Sequence, residues 1–220
     1  GVFGAHVSLV LRRLRRLAEH HRNSPVVIAA SATSGAPERS VARLIGAPVT
    51  AITEDSSPTP ERTVVLWQSP IDDGGSSATR DAAALTSAAV RQGCQVLTFL
   101  RSRRAVEYVA SLVREQHAED ASTPLGSDAI AAYRGGFLAE ERRALEDGLR
   151  SGSIRALATT NALELGIDIA GMDVVVTAGW PGTRSSLWQQ FGRAGRGTSA
   201  ALAAFVARED PLDTYLVQHP

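Results

Sequence analysis

A glycine- and arginine-rich stretch near the end of the chain has the residue types needed to bind a triphosphate. It runs from Gln189 to Gly197 and reads QQFGRAGRG, with Arg193 and Arg196 three positions apart. On a helix such residues share a face, so both guanidinium groups could reach one anion and stabilise charge that develops in phosphoryl transfer. The alternative is a solvated basic turn. Three glycines inside a helix cost about 1 kcal/mol each, which favours a functional reason.

A second candidate site follows an apolar run that ends in hydroxyl residues. Residues 159–168 read TTNALELGID. Asn161 and Glu164 have the spacing of a capping box, which predicts a short helix just after a strand. The N-terminus of such a helix can bind phosphate, and Asp168, two positions after Gly166, could accept hydrogen bonds from a sugar hydroxyl. The alternative is simple helix capping with a surface aspartate.

Three further predicted strand ends have hydroxyl, arginine or glycine residues. They are Ser31-Ala32-Thr33, residues 100–104 (LRSRR) and residues 133–136 (YRGG). Arginine and hydroxyl donors at such positions could hold phosphates. Basic residues at the start of a helix oppose its dipole, which makes the LRSRR segment unusual for a purely structural turn. The alternatives are a polar strand end, a basic first helical turn and an ordinary glycine turn.

Composition excludes several kinds of chemistry. All 23 basic residues of the 220 are arginine, so the chain has neither a lysine P-loop nor a Schiff-base lysine. The net charge is zero, so local clusters must account for any nucleic-acid binding. Cys94 is the only cysteine, which excludes disulfides and thiolate zinc sites, predicts no metal site in this chain and fits a reducing cytoplasm. No apolar run is long enough to cross a bilayer.

The elements that must position these residues alternate along the chain. The first segment predicts an amphipathic helix with Val7, Val10, Leu14 and Leu17 on one face, a buried strand over 26–30 (VVIAA), and a helix from Pro37 to Ile45. Later strands are predicted at 63–68, 95–100, 129–133, 154–159, 173–178 and 200–206. Helices are predicted at 79–91, 103–116, 139–150, 161–165, 186–193 and 211–218. This alternation predicts an α/β fold with a parallel sheet, whose ligands bind beyond the carboxyl ends of the strands.

Taken together, these motifs resemble those of superfamily 2 helicases. The order Ser-Ala-Thr, Arg-Ser-Arg, Tyr-Arg-Gly-Gly, TNALELGID and QxxGRAGR spans Ser31 to Gly197. Residues 1–6, 161–168, 188–196 and 210–213 are closer still to bacterial DEAD/DEAH-box DNA helicases of the SftH and MrfA type, which are related to the RecQ group. The resemblance implies a RecA-like fold, ATP-driven translocation on single-stranded or forked DNA, and DNA repair.

The resemblance also implies roles on the nucleotide side. Arg193 and Arg196 would be arginine fingers on the γ-phosphate of ATP, and Gln189 would sense the same phosphates. Gly166 and Asp168 would contact the ribose. ATP and Mg²⁺ would be bound in the parent protein, with the main Mg²⁺ ligands outside this chain.

On the nucleic-acid side, the resemblance implies contacts with the phosphate backbone of the tracked strand. The implied contact residues are Ser102, Arg103, Gly135 and Thr160. Ser31 and Thr33 would couple hydrolysis to closure of two lobes.

The chain also departs from the complete family pattern. It has no P-loop and no Asp-Glu box, and its first residue is not methionine. We therefore expect residues 1–52 to be the end of a first RecA-like lobe, 53–62 a linker and 63–220 the second lobe, with zinc-binding cysteines beyond Pro220. The isolated chain is expected to be inactive, and the first lobe would be its main partner. Gln190 stands where the DEAD-box form has arginine.

Two other functions remain open on the sequence. A RecA-like module could serve interaction or regulation without hydrolysing ATP, and the upstream sequence would distinguish the two. A dinucleotide-binding domain is disfavoured, because no G-x-G-x-x-G lies between a strand and a helix.

Overall fold

A computed structural model describes residues 2–54, 61–69, 77–118, 126–133, 135–136, 138–161, 171–195 and 200–219. The chain divides into two compact units, Gly1–Ser57 and Pro58–Pro220. No helix in the described ranges combines the length and the apolar composition needed to cross a membrane.

The first unit contains two helices, α1 (Val2–His20) and α2 (Pro37–Ile45). The last carbonyl groups of α2 have no partner inside the helix, and side chains of α1 satisfy them. Ser8 Oγ donates to the carbonyl oxygen of Leu44 at 2.8 Å, and Arg15 Nη1 donates to that of Ile45 at 2.9 Å. The polar side of α1 therefore packs against α2.

Most of the apolar face of α1 is exposed, and only Val7 on it is half-buried. The helix forms as predicted, but Val10, Leu14 and Leu17 are 66%, 58% and 55% exposed. Burying a side chain of this kind stabilises a protein by about 1.5–3 kcal/mol. A partner that covered these three side chains would therefore be bound with a favourable free energy.

The predicted strand over residues 26–30 is wrong. The segment has no strand ladder, and Val26 and Ile28 are 86% and 90% exposed. A strand exists only beside another strand, because its backbone groups bond across the ladder. The described part of the first unit has no other strand, so the apolar run has no edge to join. Ser31 and Thr33 therefore follow an extended, unpaired segment.

The second unit is built on one six-stranded parallel sheet. Its strands are β1 (Arg62–Gln68), β2 (Val96–Phe99), β3 (Ile130–Tyr133), β4 (Ala156–Thr159), β5 (Val174–Ala178) and β6 (Ala201–Ala207). Their order across the sheet is β1-β6-β5-β2-β4-β3, and every pair is parallel. Three of the four interior strands, β2, β4 and β5, are buried throughout, as expected where helices cover both faces.

The helices of this unit are α3 (Ala78–Arg91), α4 (Arg103–Ala118), α5 (Ala139–Ser151), α6 (Arg184–Phe191) and α7 (Pro211–Gln218), and a 3-10 turn at Ser127–Ala129 precedes β3. One apolar cluster joins α3 and α4 to the sheet, and a second joins α5 and α6 to its other face. The result is a three-layer α/β/α arrangement. It confirms the predicted RecA-like fold class and all six strands predicted after residue 62.

Candidate functional site

All four predicted nucleic-acid contacts follow three adjacent strands. Ser102 and Arg103 come after β2, Thr160 after β4 and Gly135 after β3, and β4 pairs with both neighbours. Adjacent strands lie about 4.8 Å apart, so the three loops share one stretch of the carboxyl edge. The Leu100 amide donates to the carbonyl oxygen of Thr159 at 2.8 Å, which extends the ladder one residue into the loops. The fold thus brings together residues that are far apart in sequence.

The loop after β2 combines a helix cap with exposed cations. Ser102 Oγ accepts a hydrogen bond from the Ala105 amide at 3.1 Å, which caps the start of α4. Arg101, Arg103 and Arg104 are exposed, and the first turn of α4 has no acidic residue. Three guanidinium groups at the positive end of a helix repel one another and the dipole. An anion bound at this position would relieve that repulsion, and the Ser102 hydroxyl can still donate.

The residues predicted to face the nucleotide lie on and just after α6. Thr183 Oγ1 accepts from the Ser186 amide at 3.0 Å and so caps this helix. Gln189 is half-buried near its end and Arg193 is half-buried beyond it. The helical position predicted for Arg193 is wrong, because α6 ends at Phe191. Beyond the helix, Gly195 has φ +109°, a backbone conformation that favours glycine.

The backbone around Arg193 is bonded to the amino end of β5. The amides of Gly171 and Met172 donate to the Arg193 carbonyl oxygen at 3.2 and 3.0 Å, and the Gly195 amide donates to that of Met172 at 2.9 Å. Met172 and Ala194 form a parallel bridge. Arg193 therefore has a fixed backbone, and it lies at the opposite end of β5 from the carboxyl edge.

The guanidinium of Arg62 adds a further support to this turn. Its Nε and Nη2 atoms donate to the Ala194 carbonyl oxygen at 3.2 and 2.8 Å. Arg62 is the first residue of the edge strand β1. Sequence reasoning missed it, because an arginine at the start of a strand has no local signal for a partner 132 positions away.

A buried polar chain connects α6 to two strands, and sequence reasoning missed its centre. Gln190 is fully buried. Its Oε1 accepts from Thr177 Oγ1 on β5 at 3.0 Å, and its Nε2 donates to Asn161 Oδ1 after β4 at 3.5 Å. Its burial could have been predicted from its position, since Gln190 lies three residues after Leu187 and shares the inward face of α6 with it.

A second polar cluster, for which the sequence predicted no structural role, fixes the loop after β5. Asp213 is fully buried. Its carboxylate accepts from the Trp180 amide at 3.2 Å, the Arg208 amide at 3.0 Å and Arg208 Nε at 3.3 Å. Gly179 has φ +80°, and a Cβ there would lie 2.5 Å from the Arg208 side chain. The Asp-Pro-Leu-Asp sequence at 210–213 therefore joins α7 to the ends of β5 and β6, and Asp210 caps the helix.

The remaining predicted residues divide into two groups. Ser31 is exposed and Thr33 half-buried in the first unit, and the Thr33 amide donates to Ser31 Oγ at 3.4 Å. Gly166, Asp168 and Arg196 lie outside the described residues, as does the helix predicted at 161–165 apart from its first residue.

Cysteine and metal chemistry receive no support from the described residues. Burial raises the pKa of the Cys94 thiol, with a further rise from Asp173 and an opposing effect of Arg155. The thiol is therefore protonated at neutral pH. Among the described side chains, no group of three or more His, Cys, Asp and Glu residues could hold a metal ion.

Comparison with known families tests the resemblance directly. Residues 81–198, more than half of the chain, match the family model described as the helicase conserved C-terminal domain. The chain belongs to this family. The match spans β2 to β5 and α6, and it includes the carboxyl-edge loops as well as the Arg193 turn.

Individual proteins agree with the family match. The chain is 38% identical to the uncharacterized ATP-dependent helicase YprA of Bacillus subtilis and 36% identical to the ATP-dependent helicase hrq1 of Schizosaccharomyces pombe, over 100% of its own length in both cases. It spans 29% and 21% of those proteins, less than a third of either. The crystal structure of the DUF1998 helicase MrfA bound to DNA and AMPPNP matches all of the chain and 30% of MrfA, with a TM-score of 0.90 and 38% identity. These findings confirm the predicted superfamily 2 resemblance.

Proposed function

We propose that this chain is the C-terminal motor lobe of an ATP-dependent DNA helicase or translocase. The observation that supports this most strongly is the separation of two sites on one sheet. The loops with Ser102, Arg103, Thr160 and Gly135 lie at the carboxyl edge, whereas the Arg193 turn is bonded to the amino end of β5. A motor lobe needs two such sites, one that binds the nucleic acid and one that contacts ATP.

The proposed ligand of the carboxyl-edge loops is the phosphate backbone of a DNA strand. The three exposed arginines at the start of α4 offer sequence-independent contacts, which are the kind a translocating protein needs. Thr160 and Gly135 would contact successive phosphates from the neighbouring strand ends. DNA is favoured because MrfA, a 38% identical relative, is bound to DNA in its crystal structure.

The proposed nucleotide is ATP, which would contact this lobe at the Arg193 turn. The guanidinium groups of Arg193 and Arg196 would neutralise charge on the transferred phosphoryl group, and arginine fingers raise hydrolysis by about 10³–10⁵. Gln189 would sense the γ-phosphate, and Gly166 with Asp168 would contact the ribose. The braced backbone of Arg193 fits this role, because a finger acts only when it is held in place.

The partner that completes this site would be a first RecA-like lobe in the same, longer polypeptide. It would supply the lysine P-loop and the Mg²⁺ ligands, since this chain has no lysine. In this proposal residues 1–52 are the end of that lobe, 53–62 the linker and 63–220 the second lobe. The bare apolar face of α1 and the unpaired apolar run at 26–30 support the assignment, because a sheet with its helices would cover both. Ser31 and Thr33 would then couple hydrolysis to lobe closure.

A role in DNA repair in the cytoplasm rests on the family resemblance alone. It is tested by the survival of cells that carry an Arg193→Ala allele after alkylating, crosslinking and ultraviolet damage. Survival equal to wild type under all three would contradict it.

The test of the motor proposal compares the isolated chain with the longer parent protein. ATP hydrolysis is measured with and without single-stranded DNA. We expect DNA-stimulated hydrolysis by the parent and none by the isolated chain. Hydrolysis by the isolated chain would contradict the proposed division of the site, and a parent that binds ATP and DNA without turnover would favour a regulatory module.

A further inference from the structure

Gln190 is a buried amide that joins α6 by a hydrogen bond to Asn161, the third residue of the 159–168 motif. It immediately follows Gln189 and lies three positions before Arg193. A buried glutamine that leaves its donors or acceptor unpaired destabilises the fold, so its partners define what the residue can do. Those partners are Thr177, which lies on β5, and Asn161, which follows β4.

Two of the hydrogen bonds of Gln190 differ in character. The bond from Thr177 Oγ1 is 3.0 Å long and buried, which anchors the amide to the middle of the sheet. The bond to Asn161 Oδ1 is 3.5 Å long and only part-buried. At that length a hydrogen bond is weak, so a small movement of Asn161 can tighten or break it. The Oε1 end of the amide is therefore anchored to β5, whereas the bond at its Nε2 end depends on the position of Asn161.

Asn161 is placed to report nucleic-acid binding. It directly follows Thr160, which is the proposed phosphate contact at the carboxyl end of β4. Thr159 and Thr160 are further connected by the bond from Thr159 Oγ1 to the Thr160 carbonyl oxygen at 3.0 Å. A phosphate that shifts the backbone of Thr160 would also shift Asn161, since the two share a peptide bond.

We propose that Gln190 is a positioning residue that couples DNA bound at Thr160 to the placement of Gln189 and Arg193 on the nucleotide side. This inference rests on the proposed motor function. DNA would tighten the contact between Asn161 and Gln190, and α6 would move as a unit because Gln190 is part of its last turn. Gln190 touches neither substrate in this scheme and acts through its neighbours.

The test uses the parent protein and four variants. Gln190→Leu removes both bonds at similar volume, and Thr177→Val removes the inner bond at nearly constant shape. Thr177→Ser keeps the hydroxyl and should restore coupling. Gln95→Leu is the matched control, because Gln95 is also buried and its Nε2 bonds to the Leu149 and Ile154 carbonyl oxygens.

The first readout is the ratio of ATP turnover with and without single-stranded DNA. We expect Gln190→Leu and Thr177→Val to lower this ratio about tenfold, within the range of ordinary coupling between sites. Thr177→Ser and Gln95→Leu should keep the wild-type ratio. An unchanged ratio in Gln190→Leu, or an equal loss in Gln95→Leu, overturns the proposal. If Gln190→Leu does not fold, the comparison of Thr177→Val with Thr177→Ser decides the question.

The second readout separates this inference from the motor proposal. Amide hydrogen exchange of residues 184–191 is followed as single-stranded DNA is added, without ATP. We expect DNA to protect these amides in wild type and Gln95→Leu but not in Gln190→Leu. Protection without any ATP turnover would contradict the motor proposal and leave the coupling intact. Turnover with no DNA-dependent protection, or with equal protection in Gln190→Leu, overturns the coupling.

Discussion

The guanidinium of Arg62 donates two hydrogen bonds to the carbonyl oxygen of Ala194, the residue next to Arg193. The contact joins the first residue of an edge strand to a turn that follows α6. The same turn is bonded to Gly171 and Met172, so its backbone is supported from two directions. This arrangement explains how a glycine-rich sequence can hold an arginine in a defined position.

Arg62→Ala should therefore lower ATP turnover by the parent protein without weakening DNA binding. The expected loss is about tenfold, because a misplaced catalytic group loses much of its effect. Arg114→Ala is the matched control, since Arg114 Nε and Nη2 bond to the Ile130 carbonyl oxygen at 3.0 and 2.8 Å, away from the Arg193 turn. Equal turnover in the two variants would contradict a positioning role for Arg62.

Arg103→Gln should weaken DNA binding in a salt-dependent way. Log K falls as log salt concentration rises, and each lost phosphate contact with single-stranded DNA makes this slope less steep by about 0.7. Titrations with single-stranded DNA at several salt concentrations measure this slope. Arg150→Gln is the control, because Arg150 is an exposed arginine on α5 whose side chain pairs with Asp147. If Arg103→Gln gives the same slope as wild type and as Arg150→Gln, the proposed DNA contacts at the carboxyl edge are wrong.

Asp213→Asn should destabilise the second unit strongly. The buried carboxylate accepts bonds from the Trp180 amide and from the amide and the half-exposed guanidinium of Arg208, and losing hydrogen bonds to a charged group of this kind costs about 1.5–3 kcal/mol. Urea unfolding of the chain measures the change in the free energy of unfolding. Asp147→Asn, which breaks the exposed pair with Arg150, should change it by about 0–1 kcal/mol. Similar values for the two variants would refute the structural role of Asp213.

The sequence predicts the sheet of the second unit well, because each strand is a short apolar run between helices. β2, β4 and β5 are buried on both faces, and that burial is what an unbroken apolar run indicates. The run at 26–30 has the same appearance and yet forms no strand, because strand formation also depends on a neighbour. The local sequence pattern therefore predicts that a segment can form a strand, but it does not predict which strand it pairs with.

The site was predictable only in its motif residues. Glycine, arginine and hydroxyl residues at strand ends have recognisable spacing, so Ser102, Thr160 and Arg193 could be selected as candidates. The supporting residues Arg62, Gln190 and Asp213 act through contacts between distant segments. Such contacts depend on the order of strands in the sheet, which the spacing along one chain does not specify.

The most direct test of the motor proposal is ATP turnover by the Arg193→Ala parent protein at saturating single-stranded DNA. We predict that turnover falls by about 10³–10⁵, the range for loss of an arginine finger. The dissociation constant for DNA, measured on the same preparation, should stay near the wild-type value, because the carboxyl-edge loops are untouched. Turnover at the wild-type level would contradict the assignment of Arg193 and, with it, the proposed place of this lobe in the motor.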